Sequence, residues 1–354
     1  MNSNPRHKAS SHPGPSSVGE GAVQPVLSVR DLSIEFESEF GTVYAANGLS
    51  YDLAAGEILA LVGESGSGKS VSAQAVMGLL ETPPATIASG EILLNGRDLF
   101  SMSARARRRL CGPEIAMVFQ EAPLNPAFSV GYQISEIFRV HRGLSRRESK
   151  RRAIELLDRV RIPSSAERVD DYPHQFSGGM RQRVVIAMAI ALDPYVLIAD
   201  EPTTALDVTV QSQIMDLLAE IRDDTGMAMV LITHDLAVVA EVADRAAVMY
   251  AGRLVEVSPI ESLFREPAHP YTHGLMASVP RADLKGGELH TIEGAPPLLH
   301  DLPSGCPFHP RCSFAIDKCL SVDPPLEVHA PGRFSACHRV DEVLEEARGK
   351  VNDE

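Results

Sequence analysis

A glycine-rich loop between an apolar run and a helix-forming segment constrains this chain more than any other feature. Residues 63–70 read Gly-Glu-Ser-Gly-Ser-Gly-Lys-Ser, which matches the pattern G-x-x-x-x-G-K-[ST]. The apolar run at 58–62 predicts a buried strand before the loop, and helical spacing of apolar residues over 69–80 predicts a helix after it. This order of elements predicts an α/β fold built around a phosphate-binding loop, that is, a P-loop NTPase.

Each residue type in this loop suits the binding of a phosphate chain. Glycines let the backbone wrap around the anion, so that N–H groups and the helix N-terminus point at it. Lys69 is predicted to neutralise the β and γ phosphates, and the Ser70 hydroxyl to ligate Mg²⁺. The predicted nucleotide-binding residues of the loop are Gly63, Glu64, Ser65, Gly66, Ser67, Gly68, Lys69 and Ser70.

An acidic pair follows a second apolar run. Residues 195–199 predict a buried strand, and Asp200 and Glu201 come directly after it. An Asp at the tip of a core strand can hold Mg²⁺, and Glu201 would lie where it can polarise the water that attacks the γ phosphate. Together with the phosphate loop, the pair predicts Mg²⁺-dependent nucleotide hydrolysis with Asp200 as a metal ligand and Glu201 as the catalytic carboxylate.

A second glycine motif stands before another predicted helix, at 180–192. Ser177 suits the N-cap of this helix, and Gly178 and Gly179 expose its first amides, which predicts a second anion site. One nucleotide does not need two such sites from one chain. We therefore expect this site to bind the γ phosphate of a nucleotide held by another subunit, so that hydrolysis requires a dimer.

The composition limits the class of partner. Among 354 residues, 33 Lys and Arg stand against 47 Asp and Glu, and the net charge of −14 argues against nucleic acid as a partner. The longest strongly apolar stretch, 184–192, is far shorter than the roughly 20 residues that cross a bilayer. The first 25 residues are rich in Ser, Pro and Gly and lack an apolar core, which predicts a disordered tail rather than a secretory signal and a chain that stays in the cytosol.

Changes in pattern along the chain predict four segments. A disordered tail at 1–25 precedes a nucleotide-binding domain at 26–260, which opens with an antiparallel β portion and contains a helical insert at about 121–190. Frequent prolines argue against regular sheet beyond this domain, so 261–340 are predicted to form a loop-rich extension. Residues 341–354 are predicted to be a polar tail.

The motifs of residues 26–260, in their order, resemble those of the ATP-binding subunit of an ATP-binding-cassette (ABC) transporter. Residues 177–180 match the signature of that family except for Met180, where many members carry Gln. The resemblance implies that ATP is the nucleotide. It also implies that Gln120, which follows a predicted strand at 115–119, is the Q-loop residue that senses Mg²⁺ and water.

Further site residues are implied by the same resemblance. Asp207 resembles the D-loop residue at the dimer interface, and His234 resembles the switch histidine that contacts the γ phosphate. An aromatic ring stacks on adenine in this family. That role is assigned to Phe40, with Tyr44 as the competing candidate.

Four cysteines are clustered near the C-terminus: Cys306, Cys312, Cys319 and Cys337. In a reducing compartment such a cluster predicts a metal site rather than disulfides. Four thiolates suit either a [4Fe-4S] cluster or tetrahedral Zn²⁺, and the spacing alone does not decide between them.

The residues around the cysteines resemble the C-terminal extension of the dipeptide and oligopeptide importer ATPases, with HPYT at 269–272, EGAPP at 293–297 and CPFHPRC at 306–312. This resemblance implies import of di- or oligopeptides, and iron-sulfur rather than zinc. It implies as partners two membrane permeases, a related or identical second ATPase, and an extracytoplasmic peptide-binding protein. The chain is then expected at the cytoplasmic face of the inner membrane, as a peripheral subunit.

Three alternatives stay open. An importer of the same class could carry nickel or glutathione, because other subunits select the cargo. A soluble ABC ATPase acting in DNA repair or on ribosomes is disfavoured, since the chain has neither a long coiled-coil insertion nor a second cassette. An iron-sulfur regulatory protein that only senses ATP is disfavoured by Glu201, because binding alone needs no water-polarising carboxylate.

Overall fold

The computed structural model describes residues 24–39, 41–121, 123–204, 206–278 and 292–352. Its strands are β1 (Leu27–Ser38), β2 (Gly41–Leu53), β3 (Ile58–Val62), β4 (Ala85–Leu94), β5 (Arg97–Asp98), β6 (Ile115–Val118), β7 (Val196–Asp200), β8 (Ala228–Thr233), β9 (Arg245–Tyr250), β10 (Arg253–Pro259), β11 (Glu327–Ala330) and β12 (Arg333–Ser335).

The α-helices of the described residues are α1 (Lys69–Met77), α2 (Ala104–Leu110), α3 (Val130–Arg142), α4 (Arg146–Arg159), α5 (Ser165–Arg168), α6 (Gly178–Ile190), α7 (Val208–Thr225), α8 (Leu236–Val242), α9 (Ile260–Arg265), α10 (Pro270–Ala277) and α11 (Val340–Asn352). Short 3₁₀ turns cover Pro173–Gln175, His309–Arg311 and Asp317–Leu320. None of the helices in these ranges is long and apolar enough to cross a membrane.

Two sheets organise the fold. A four-stranded antiparallel sheet has the order β2-β1-β4-β5, and an eight-stranded sheet has the order β11-β12-β10-β9-β3-β8-β7-β6. Strand β3 pairs in parallel with both β8 and β9, and β7 pairs in parallel with β8 and β6. All five residues of β3 and all five of β7 are buried, as expected for parallel strands covered on both faces.

This topology positions the site. The carboxyl ends of parallel strands meet at one edge of a sheet, where ligands of open α/β folds bind. The phosphate loop leaves the end of β3, the acidic pair stands at the end of β7, and His234 directly follows β8. The predicted mixed α/β fold, with an antiparallel portion and a parallel core, is therefore confirmed.

Helices α3, α4 and α6 pack together where the sequence predicts a helical insert. Ser145 caps the N-terminus of helix α4, since its hydroxyl accepts a hydrogen bond of 3.2 Å from the Glu148 N–H. Apolar residues of these helices join one continuous core with the adjacent face of the large sheet. The helical insert is thus packed directly against the nucleotide-binding core.

The C-terminal part differs from its prediction in two places. Strand β12 pairs with β10 at Glu256–Ser335 and Val257–Phe334, so the extension adds two strands to the main sheet. The prolines lie outside these strands, and Pro331 stands in the turn between them, where a missing N–H costs nothing. The expected polar tail contains α11, which buries Val343, Leu344 and Ala347 beside α9, because those apolar residues share one helix face within an acidic sequence.

Candidate active site

The phosphate loop is pressed against the backbone of neighbouring strands. A Cβ placed on Gly68, where φ is +100°, would lie 2.0 Å from the carbonyl oxygen of Ala45. A Cβ on Gly63 would lie 2.2 Å from the carbonyl oxygen of Met249. Only glycine fits at both positions, and the antiparallel sheet thereby touches the loop directly.

Lys69 begins α1 with its side chain folded back across the loop. The Nζ atom donates to the carbonyl oxygens of Gly63, at 2.7 Å, and Glu64, at 2.9 Å. The residue is only 5% exposed. This burial lowers the pKa of Lys69, while the carboxylates of Glu201 and Asp200 oppose the shift. A phosphate chain in the loop would supply the anionic partner that this buried ammonium group requires.

Ser70 and Asp200, the two residues predicted to hold Mg²⁺ at this site, are hydrogen-bonded to each other. The Ser70 hydroxyl donates to Asp200 Oδ1 at 2.9 Å, although 130 residues separate them in sequence. Burial raises the pKa of Asp200, and the bond from Ser70 opposes that rise. Within the described ranges, no three His, Cys, Asp or Glu side chains lie in metal-holding geometry.

Glu201 lies at the centre of a hydrogen-bond network. Its Oε2 accepts from Gln120 Nε2 at 2.9 Å and from the Thr204 hydroxyl at 2.8 Å, and its Oε1 lies 3.3 Å from His234 Nδ1. Burial opposes ionisation, but the bonds from Thr204 and His234 lower the pKa of Glu201. Its φ of +45° is unusual for this residue type and marks a constrained backbone. The structure therefore holds an ionised carboxylate beside the phosphate loop.

Comparisons with known proteins agree with this geometry. The family model described as ABC transporter matches residues 46–204, and the one described as oligopeptide/dipeptide transporter, C-terminal region, matches 255–319. The dipeptide transport ATP-binding protein DppD of Bacillus subtilis is 47% identical over 327 residues, which are 92% of this chain and 98% of that protein. This chain belongs to the ABC transporter ATP-binding subunits.

Other ABC proteins extend the comparison. A Brucella melitensis protein whose name describes a peptide import ATP-binding protein is 48% identical over 90% of this chain and 98% of its own length. The dimeric cassette MJ0796 bound to ADP and phosphate has a TM-score of 0.60 at 25% identity, covering 66% of this chain and 98% of the cassette. CbiO1 of Clostridium perfringens has a TM-score of 0.58 at 30% identity, and the match covers 68% of this chain and 91% of CbiO1.

The second glycine motif of this ABC ATPase begins α6. The Ser177 hydroxyl accepts from the Met180 N–H at 3.3 Å, so the predicted N-cap is confirmed. Ser177 and Gly178 are exposed, while a Cβ on Gly179 would lie 2.5 Å from a methyl carbon of Val210. Within one chain the motif packs beside the segment that starts α7 and leaves its first residues open to solvent.

The other residues that the resemblance implied fall in different places. Asp207 caps α7, with its side chain accepting from the Val210 N–H at 3.0 Å. Phe40 lies outside the described residues, so its assignment to adenine stays a prediction. Tyr44 is 41% exposed and directly precedes Ala45, whose carbonyl contacts the phosphate loop. Thr204, which holds Glu201, was missed, although its spacing of three residues from Glu201 was a usable signal.

The four C-terminal thiols are gathered in one region and none is in a disulfide. Burial raises the pKa of Cys306 to about 11 and that of Cys337 to about 12, and neighbouring thiols of the cluster contribute to both rises. The Arg339 N–H points at Cys337 Sγ, at 3.3 Å, as amides do around metal-bound sulfur. Among the residues that the structure describes, no three His, Cys, Asp or Glu side chains are arranged to hold a metal ion, so the [4Fe-4S] cluster or Zn²⁺ stays a prediction.

Proposed function

We propose that this ABC ATPase hydrolyses ATP to power the import of di- or oligopeptides through partner permeases. ATP hydrolysis is supported by the arrangement of Lys69, the Ser70–Asp200 pair and the ionised Glu201 at one edge of the sheet. The match of residues 255–319 to the oligopeptide/dipeptide transporter C-terminal region supports peptides as the cargo. The names of the relatives support peptides over nickel or glutathione.

The chemistry follows from the positions of these groups. The loop amides and Lys69 would bind the β and γ phosphates, and Ser70 and Asp200 would hold Mg²⁺, which would supply neutralisation of the phosphate charge. Glu201 accepts a hydrogen bond from the attacking water and orients it toward the γ phosphorus. His234 and Gln120 hold that carboxylate in place, so Gln120 can report the state of the site to the helical insert that follows it.

Hydrolysis on this proposal requires two subunits. The exposed amides at the start of α6 suit the γ phosphate of a nucleotide bound to the loop of a partner ATPase. MJ0796, a cassette of similar fold, has been solved as a dimer. Closing and opening of such a dimer would drive two membrane permeases, with an extracytoplasmic protein delivering the peptide. The chain would then act at the cytoplasmic face of the membrane.

Glu201→Gln and Ser177→Arg together test the shared site. The glutamine keeps a carbonyl oxygen for Gln120 and Thr204, so the network survives while the negative charge is lost. We expect turnover in the purified complex to fall about 10²–10⁴-fold, with ATP still bound and the dimer trapped. Ser177→Arg should keep ATP binding by each chain but abolish both the trapped dimer and turnover.

Glu91→Gln is the matched control, because it makes the same chemical change at an exposed ion pair with Arg30 and should leave turnover unchanged. Measured values are the ATPase rate, bound nucleotide and oligomer mass. Full turnover in Glu201→Gln would remove its catalytic role, and full turnover in Ser177→Arg would refute the shared site.

The cysteine cluster of the extension would hold a metal that stabilises this module. A [4Fe-4S] cluster is favoured over Zn²⁺, by resemblance to importer ATPases with the same four cysteines. The role is structural, because hydrolysis of ATP needs no electron transfer. A small proline-rich module with few buried apolar residues gains folding free energy from such a centre.

A further inference from the structure

Two residues of the C-terminal extension bind Glu64 of the phosphate loop, one at its carboxylate and the other at its backbone N–H. The guanidinium of Arg311 makes a two-pronged ion pair with the Glu64 carboxylate, with distances of 2.8 and 3.1 Å. The backbone N–H of Glu64 donates to the Tyr271 hydroxyl at 2.9 Å. These partners lie 247 and 207 residues from Glu64 in sequence, so only the folded extension brings them to the loop.

Arg311 is held rigidly before any nucleotide arrives. Its side chain is 5% exposed, and its Nε donates to the carbonyl oxygen of Glu293 at 3.1 Å. The guanidinium carbon lies 5.9 Å from the ring centres of both Tyr250 and Phe308. Tyr271 packs against the same two rings. This packing fixes the donors, so little conformational entropy is lost when they pair with Glu64.

The charge of Glu64 gives this contact a consequence for ATP. A carboxylate in a loop that binds a triphosphate would repel it, and the repulsion is strong where water is partly excluded. The Arg311 cation cancels that charge. The carbonyl oxygen of Glu64 also accepts from Lys69 Nζ at 2.9 Å, so fixing Glu64 fixes one anchor of the phosphate-binding lysine.

We propose that Arg311 and Tyr271 are positioning residues for nucleotide binding: they neutralise and orient Glu64 so that the phosphate loop is ready for ATP. The proposal rests on ATP binding to this loop, as proposed above. It gives the extension a role in the ATPase reaction itself. Because Arg311 directly precedes Cys312, the folding of the cysteine-containing module decides whether this guanidinium reaches the loop.

A double-mutant cycle with the full-length chain tests the proposal. Mg²⁺-ATP is titrated by calorimetry into the wild type, Arg311→Met, Glu64→Gln and the double variant. Arg311→Met should weaken binding about tenfold or more, as expected for the loss of a buried charge-assisted pair. In the Glu64→Gln background the same change should alter binding by no more than about twofold. The kcat of the assembled complex at saturating ATP should change less than KM, and Arg311→Lys, which restores the charge but not the two-pronged geometry, should restore only part of the affinity.

Arg253→Met is the control, since Arg253 pairs with Asp323 of the extension and does not touch the loop. It should leave the ATP affinity unchanged. If Arg311→Met does not fold in a thermal melt, Tyr271→Phe takes its place, because it removes only the acceptor of the Glu64 N–H, and must weaken binding with kcat retained.

Two results would overturn the proposal: wild-type affinity in the folded variant, or equal weakening in both Glu64 backgrounds. Absence of ATP binding by the wild type would instead refute the proposed function.

Discussion

Glu256 and His269 are a buried acid and a buried base with opposite pKa shifts, at the segment that carries Tyr271. Both residues are almost inaccessible to water. Glu256 accepts N–H groups of Ala268 and His269, each at 2.9 Å, and desolvation raises its pKa from 4.5 to about 7. His269 Nδ1 accepts the Tyr271 N–H at 3.1 Å, and desolvation lowers its pKa from 6.5 to about 3.

These shifts act on stability with opposite signs. Between about pH 4.5 and 6.5 the folded state keeps a proton on Glu256 that the unfolded state releases, so this residue makes the free energy of unfolding fall by about 1.4 kcal/mol per pH unit as pH rises. In the same pH window the unfolded state binds a proton at His269 that the folded state excludes. His269 therefore makes the free energy of unfolding rise by about 1.4 kcal/mol per pH unit as pH rises. The two residues therefore cancel in the wild type.

Single substitutions should uncover the two slopes. Relative to wild type, Glu256→Gln should gain up to about 1.4 kcal/mol of unfolding free energy per pH unit from pH 4.5 to 6.5, and His269→Asn should lose about as much. Urea unfolding followed by circular dichroism at three pH values in this window measures both. All other titrating groups are shared with the wild type and drop out of the difference.

The exposed variant Glu91→Gln should show a difference that barely depends on pH. Slopes of the same sign in the two buried variants, or differences that do not change with pH, would refute this account of the pair.

Two further predictions concern the loop and the cysteines. Gly68→Ala should abolish ATP binding, because its Cβ would meet the Ala45 carbonyl oxygen. The Cβ of Gly66→Ala would meet no atom within 4 Å, so this variant should lose only about 1–2 kcal/mol of stability for its positive φ. ATP titration and thermal melting measure both effects, and normal ATP binding by a folded Gly68→Ala variant would contradict the steric argument. Cys337→Ser should lower the metal content of anaerobically purified protein, whereas Cys111→Ser should leave it unchanged. Elemental analysis and absorption spectroscopy measure the metal content, and equal metal content in the two variants would exclude Cys337 as a ligand.

The sequence by itself determined the nucleotide-binding core. A phosphate loop needs glycines, a lysine and a flanking strand and helix, and all of these are adjacent in the chain, so their pattern can be recognised without coordinates. The strand ending in Asp200 and the capped helix starting after Ser177 are equally local. Each of these predictions depends on backbone preferences and burial periods that act within a few residues.

The tertiary structure alone decided how distant segments meet this core. No local pattern shows that Arg311 pairs with Glu64, because the pairing depends on how the segment around Phe308 packs against Tyr250 of β9 and Tyr271 of α10. The sequence analysis missed strands β11 and β12 and the buried face of α11 for a related reason. The proline content and polarity of a whole segment do not show which of its individual residues pack against the core. Burial next to a partner that is remote in sequence is a property of the folded chain, and it brings Arg311 of the extension to Glu64 of the phosphate loop.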